Sequence, residues 1–295
     1  MTPSTSQYLT TKELGELLRI KERKIYAMVS AGEIPCTRAT GKLLFSRQDI
    51  EAWLAQNGSS PMKVAPSTPR PNVFLGSHDP LLVWALKESG CRIATDFGGS
   101  LDGVERFMAN EGMAAAVHLY DSESDDWNTP LISSRLSGQA VVMVEFGYRE
   151  RGLVIRNDMI DHIRSVADLR GHRIVPRQAS AGTQILLEFL LKQHDLDRSE
   201  LNYTSVAHTE TDAVTSVLDG SADVTFGLQG IARRFDLAFI PVIRERFDIL
   251  IDRQAWFEPP FQKFWAFCQS NDFKKHAKSL HGYDIQGLGR IRFNG

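Results

Sequence analysis

A chain of 295 residues, 42% apolar and 24% charged, has the composition of a folded soluble protein and the length of two domains rather than one. Its apolar runs, such as Gln139-Ala140-Val141-Val142-Met143-Val144, are far too short to span a bilayer, and Met1-Thr2-Pro3-Ser4-Thr5-Ser6 lacks a basic-then-apolar export signal, so a cytoplasmic protein is expected. The net charge of −2 singles out no partner, and three scattered cysteines, Cys36, Cys91 and Cys268, have neither disulfide-framework count nor metal-site spacing and are read as packing residues.

Charge is uneven along the chain. Residues 1–60 hold eight Lys plus Arg against six Asp plus Glu, and the remainder holds 26 against 30. A mildly basic headpiece on a mildly acidic body fits nucleic-acid contact through the first segment only. In that segment Thr10-Thr11-Lys12-Glu13 is a capping-box start, and Leu14, Leu17 and Leu18 give the helix an apolar stripe. A second helix from Lys21 to Ser30 turns Ile25, Met28 and Val29 inward and leaves Lys21, Arg23, Lys24 and Tyr26 outward. Two stretches, 34–38 and 42–45, flank Ala39-Thr40-Gly41 as a hairpin, and Ser46 to Asp49 caps a helix carrying Ile50, Trp53 and Leu54. Helix, helix, wing, helix is the predicted order. From Gly58 to Pro71 four prolines and almost nothing apolar mark a linker, so the predicted domains are 1–57, a linker 58–71 and a body 72–295.

Tyr8-Leu9-Thr10 through Glu13-Leu14, the turn Ala31-Gly32-Glu33-Ile34-Pro35, and Phe45-Ser46 with Asp49 to Leu54 together resemble the excisionase-type winged helix-turn-helix family. The resemblance implies a DNA-binding headpiece. Its second helix would enter a major groove, with Lys21, Arg23, Lys24 and Tyr26 facing DNA, and Arg38 and Lys42 in the wing would lie on the phosphate backbone.

The body alternates strand-like and helix-like stretches. Val73 to Gly76 precedes a helix from Leu81 to Lys87; Ala114 to Val117 follows a helix from Leu101 to Asn110; Leu153 to Ile155, then Val224 to Phe226 after a helix from Asp212 to Leu218, and Phe239 to Val242 complete the set. Such alternation predicts an α/β domain with ligands at strand carboxyl ends. Three junctions share one design: Gly76-Ser77-His78, Gly99-Ser100-Leu101, and Arg177 through Thr183, where small hydroxyl residues and a glycine stand before a helix. Backbone N–H groups and the helix dipole at such a junction suit an oxyanion, and Arg177 adds positive charge; an ordinary N-cap is the plainer reading of any one of them. His118 at a strand end and His208 before Thr209 are either structural histidines or donors to an anion. Neither a nucleophile elbow nor a Walker loop is present, Asp121 to Asp126 reads as a solvated turn, and no cluster has metal-ligand spacing, so neither a catalytic residue nor a cofactor or metal is assigned.

Taken in order, Gly76-Ser77-His78-Asp79-Pro80, Gly99 to Gly103, Ala116 to Asp121 with Asn128-Thr129-Pro130, Tyr148 to Leu153, Pro176 to Thr183, Ala207-His208-Thr209, Gly220 to Asp223 and Glu245 to Leu250 resemble the periplasmic-binding-protein-like domain family over about residues 73–253. What that implies is a two-lobed type II fold, lobe I about 72–147 and 242–295 and lobe II about 148–241, similar to molybdate and tungstate binders. Carried over residue by residue, the ligand site is Ser77, His78, Ser100, His118, Arg177, Ser180, Gly182 and Thr183, with His208 and Thr209 at its rim. The family's Gly-Ser-Gly-Thr-Arg stands here as Ala179 to Gln184, and the loss of a positive residue at Gln184 leaves more of the anion's charge to Arg177.

The expected function is a one-component transcriptional regulator, not an enzyme, that binds double-stranded DNA as a homodimer and senses a small oxyanion. The alternative is an enzyme or carrier acting on a molybdenum-cofactor intermediate, and a weaker third reading is a recombination accessory protein. The tail after Arg253, with Trp256, Phe257, Phe261, Phe264, Trp265 and Phe267, is expected to pack on a lobe or to pair two subunits.

Overall fold

The structure, a computed structural model, describes residues 8–39, 41–47, 49–50, 53–54 and 69–295, and it divides into two compact units, residues 1–67 and 68–295. The predicted linker thus lies almost wholly outside the described residues, as does the end of the third headpiece helix.

The headpiece is built on local signals. Strand β1 (Tyr8–Thr10) runs into the helix Thr11–Leu18, where the Thr10 side chain accepts from the Glu13 N–H and the Glu13 carboxylate accepts from the Thr10 N–H at 2.8 Å, the reciprocal capping box. Arg19 ends that helix in the left-handed region, and the helix Glu22–Ser30 follows. The hairpin of β2 (Thr37–Ala39) and β3 (Lys42–Ser46) adds to β1 in the order β1-β3-β2. Leu9, Leu14, Ile25, Ile34, Phe45 and Ile50 form its core. Leu17 and Leu54 are exposed rather than inward; the core takes Leu14 and Leu18 from the helix Thr11–Leu18 and leaves Leu17 outside. Cys36, read as a packing residue, is also exposed, in the irregular stretch before β2; Cys91 and Cys268 are buried.

In the body, β4 (Val73–Gly76), β5 (Ala94–Asp96) and β6 (Ala114–Val117) are parallel, each with a helix before or after it. A short pair, β7 (Tyr120–Asp121) and β8 (Asp126–Trp127), makes a hairpin of the acidic run. The long strand β9 (Val141–Ile155) leads to β10 (Arg173–Val175), β11 (Asn202–Tyr203) and β12 (Val224–Leu228), and the equally long β13 (Ala238–Asp252) returns antiparallel to β9. The sheet runs β11-β10-β12-β9-β13-β6-β4-β5, and the tail strands β14 (Tyr283–Asp284) and β15 (Ile291–Asn294) pair with β9.

β9 and β13 are therefore shared by both lobes. Phe74, Leu81, Phe247, Ile249, Phe261 and Phe264 belong to the core of one lobe, and Leu153, Ile155, Ile174, Leu187 and Phe226 to that of the other. Each such fully buried side chain contributes about 1.5–3 kcal/mol of transfer free energy. The predicted pieces Leu153 to Ile155 and Phe239 to Val242 are the ends of these long strands. Charge in Tyr148-Arg149-Glu150-Arg151 and a proline at 241 disguise the continuity: the arginines are buried by ion pairing, and Pro241 sits at a register shift, where a missing N–H is tolerated.

The aromatic tail packs as helices Pro259–Cys268 and Asn271–Ser279, with Phe261, Phe264 and Phe273 fully buried. Phe257 departs from this, three-quarters exposed.

Candidate functional site

Strand ends and helix starts bring the predicted junctions together. Ser77, after β4, shares a 2.7 Å hydrogen bond with Ser100 at the start of the helix Ser100–Met108, and the Ser100 hydroxyl accepts from the His118 N–H at 3.1 Å. From the other lobe come Arg177, after β10, Thr183 in the first turn of the helix Gly182–Gln193, and Glu210, first residue of the helix Glu210–Leu218. Ser77, His78, His118, Arg177, Thr183 and His208 line one nearly shut cleft of about 10 Å³, room for about one water, together with Glu210, Phe97 and Gln178.

The remaining predicted residues sit around it. Ser100 is fully buried beneath Ser77. Ser180 donates its hydroxyl to the Gly98 carbonyl at 2.7 Å, and its own carbonyl accepts from the Leu101 N–H, so lobe II occupies one amide in the first turn of the Ser100 helix. Gly182 permits closure: a Cβ there would stand 2.4 Å from the His118 carbonyl oxygen. Thr209 caps its own helix by accepting from the Asp212 N–H. The lobes are closed on each other.

Beneath the cleft lies a charge network. Arg149 pairs with Asp79 at 2.8 Å and with Glu245; Arg151 pairs with Glu245 at 2.8 Å and Glu210 at 3.0 Å; Arg177 pairs with Glu210 at 3.1 Å. His118 Nδ1 lies 3.0 Å from Glu245, and the Tyr283 hydroxyl donates to Asp79. Three guanidinium groups against three carboxylates leave it neutral. Burial by itself would raise the Glu245 and Glu210 carboxyls, yet the facing arginines hold Glu245 well below the usual carboxylate range and Glu210 down to about 2. Burial lowers His118, against the pull of Glu245, and keeps its imidazole neutral near pH 7. Burial also pushes the Tyr283 phenol up, with Asp79 beside it.

The reading that left an anion's charge to Arg177 is modified here. Its Nε and Nη2 donate to the carbonyls of Ala207 and His208 and its Nη1 faces Glu210, so its charge and two of its donors have partners in the protein. Sequence reasoning did not assign Asp79, Arg149, Arg151, Glu210 or Glu245. The signal was the Arg149-x-Arg151 repeat, which sets two cations on one face of an apolar strand and requires buried carboxylates opposite.

On the headpiece, Lys21, Arg23, Lys24 and Tyr26 are exposed along the second helix, and Arg38 and Lys42 are exposed on adjoining strands of the wing. Among the described residues no group of three or more His, Cys, Asp or Glu is placed to hold a metal ion, and no helix is long and apolar enough to cross a membrane.

The family described as "PBP superfamily domain" matches residues 84–269. The chain belongs to this family. A second family, "Helix-turn-helix domain", matches residues 8–58, so the family's α/β two-lobed body is fused here to an excisionase-type headpiece. The chain is 24% identical to the uncharacterized protein YvgK of Bacillus subtilis (strain 168) over 97% of its own length and 98% of that protein's. It is 26% identical, over 36% of this chain and 96% of the other, to an uncharacterized Clostridium pasteurianum protein encoded in the 5′ region of a 2Fe-2S ferredoxin gene. Among solved structures it shares the fold of the regulatory domain of MetR, a LysR family regulator from N. meningitidis, with TM-score 0.51 and 9% identity over 72% of this chain and 95% of that one. A DNA-binding headpiece on a ligand-binding body of this kind suggests a regulator rather than an enzyme.

Proposed function

We propose that this protein is a one-component transcriptional regulator, a homodimer whose paired headpieces bind operator DNA under the control of a small oxyanion of the molybdate or tungstate type. The observation that carries the reading is the convergence of Ser77, His118, Arg177 and Thr183, from three separate stretches of sequence, on one cleft between the lobes. The helix Gly182–Gln193 points its N-terminus there, and its N-cap, Ala181, offers no side chain to that end.

Because Glu210 neutralises Arg177, an oxyanion enters by opening the lobes and competing with this carboxylate for the guanidinium. Closure around it would alter the spacing of two headpieces and so their fit to paired half-sites.

Sodium molybdate and sodium tungstate are expected to raise the melting temperature of the full chain and to change its retention on operator DNA, with sodium sulfate as the comparison anion. Arg177→Ala is expected to lose the thermal shift while keeping a native circular-dichroism spectrum. A full shift in Arg177→Ala places the anion elsewhere, and specific DNA retention that no anion alters removes the sensing role.

A further inference from the structure

A larger cavity, about 240 Å³, lies between the helix Pro80–Glu88 of one lobe and the helix Gln229–Arg234 of the other. Trp84, Ile231 and Leu280 give it apolar walls, and Trp84 is fixed by stacking on His276, ring centroids 3.8 Å apart. Two cations, Lys87 from one lobe and Arg234 from the other, line the same cavity, and among the described residues no carboxylate does. Both are exposed, and neither forms an ion pair with a carboxylate among the described residues. His78 belongs to both this cavity and the cleft, and its Nδ1 is buried without a hydrogen-bond partner among the described residues.

We propose that this cavity is a second ligand site, for a small organic carboxylate whose ring-sized apolar body lies against Trp84 and whose charge is met by Lys87 and Arg234. The apolar walls fit a hydrocarbon body and leave a bare oxyanion without the donors it needs on all sides. The two cations fit an anion, and their placement couples binding to conformation: lobe closure brings two like charges to one cavity, and a carboxylate removes that repulsion. Such a ligand holds the lobes together from a position outside the cleft, so it acts on the same equilibrium as a cleft ligand without sharing its contacts.

The full chain is titrated with benzoate and indole-3-acetate, with benzamide and indole as neutral counterparts, following melting temperature and tryptophan fluorescence. At least one carboxylate is expected to raise the melting temperature and quench fluorescence in the millimolar range while its neutral counterpart does neither. Lys87→Glu and Arg234→Glu are each expected to weaken binding about tenfold or more, and Lys87→Arg to retain it, which separates lost recognition from lost folding. Arg177→Ala is expected to leave carboxylate binding intact, so that failure of the cleft reading and failure of this one are distinct results. No response to either carboxylate, equal responses to the neutral analogues, unchanged affinity in both charge reversals, or loss of binding in Arg177→Ala overturns the proposal.

Discussion

Arg177 and Glu210 form a buried pair, Nη1 to Oε1 3.1 Å, in which the carboxylate also meets Arg151. The guanidinium that the sequence marks as an anion's partner thus carries its own anion. Glu210→Gln breaks two buried pairs at once, and a loss on the order of 3–5 kcal/mol at pH 7 is expected by urea unfolding. The pH dependence follows from the folded-state value. Burial opposes ionisation, but Arg151 and Arg177 hold Glu210 at about 2 against an ordinary 4.5. A depressed carboxylate contributes stability above its unfolded value and loses it as pH falls through the folded one. The wild-type minus variant difference should therefore shrink between about pH 4.5 and 2, and a difference constant over that range contradicts the pairing.

Asp248 has the opposite sign. Burial pushes its carboxyl up to about 6, against the lowering effects of Arg246 and Asn128, which bind it at 2.9 and 2.8 Å. A raised carboxylate contributes stability that is complete below its unfolded value, 3.8, and is lost as pH rises through about 6. Relative to Asp248→Asn, the wild-type protein is expected to lose on the order of 3 kcal/mol between about pH 4 and 7. Urea melts across that range read the difference directly, and parallel profiles would remove Asp248 as the source.

Gly182 is a test of closure. A methyl group there meets the His118 carbonyl at 2.4 Å and the imidazole Cε1 at 2.9 Å, and one contact is backbone that cannot swing aside. Gly182→Ala is expected to fold, to show a larger radius of gyration by small-angle scattering, and to lose the molybdate-induced thermal shift. An unchanged radius and shift would mean that the closed lobes accommodate the methyl.

What was legible in the sequence was local. Thr10 and Glu13 announce their helix because the capping box closes within four residues, and Ser77, His118, Arg177 and Thr183 announce theirs because each stands where a strand meets a turn or helix. What was hidden depends on partners far away in the chain. Arg149 is buried because Asp79, 70 residues earlier, and Glu245, 96 residues later and beside it in register on β13, both pair with it, so a charged stretch is the middle of a 15-residue strand. Glu210 was hidden for a different reason: an acid in the first turn of a helix has a sufficient explanation in the helix dipole, and nothing nearby reveals the arginines that it faces.

Arg38 and Lys42 offer a test of the headpiece that needs no knowledge of the effector. They are exposed on paired strands of the wing, Arg38 opposite Leu43 and Lys42 opposite Ala39, and on the proposed reading they would lie on phosphate. Each phosphate contact releases counterions, so Arg38→Ala and Lys42→Ala should each reduce the magnitude of the log K against log salt slope by about 1 and weaken all duplexes alike. On the proposed DNA-binding reading, Lys24 and Tyr26, exposed on the second helix, would read bases instead. Lys24→Ala and Tyr26→Ala should narrow the gap between operator and unrelated duplex by about 1–3 kcal/mol each. Fluorescence anisotropy over a range of salt concentrations measures both quantities, and wing variants that change sequence preference while leaving the salt slope intact would reverse the two roles.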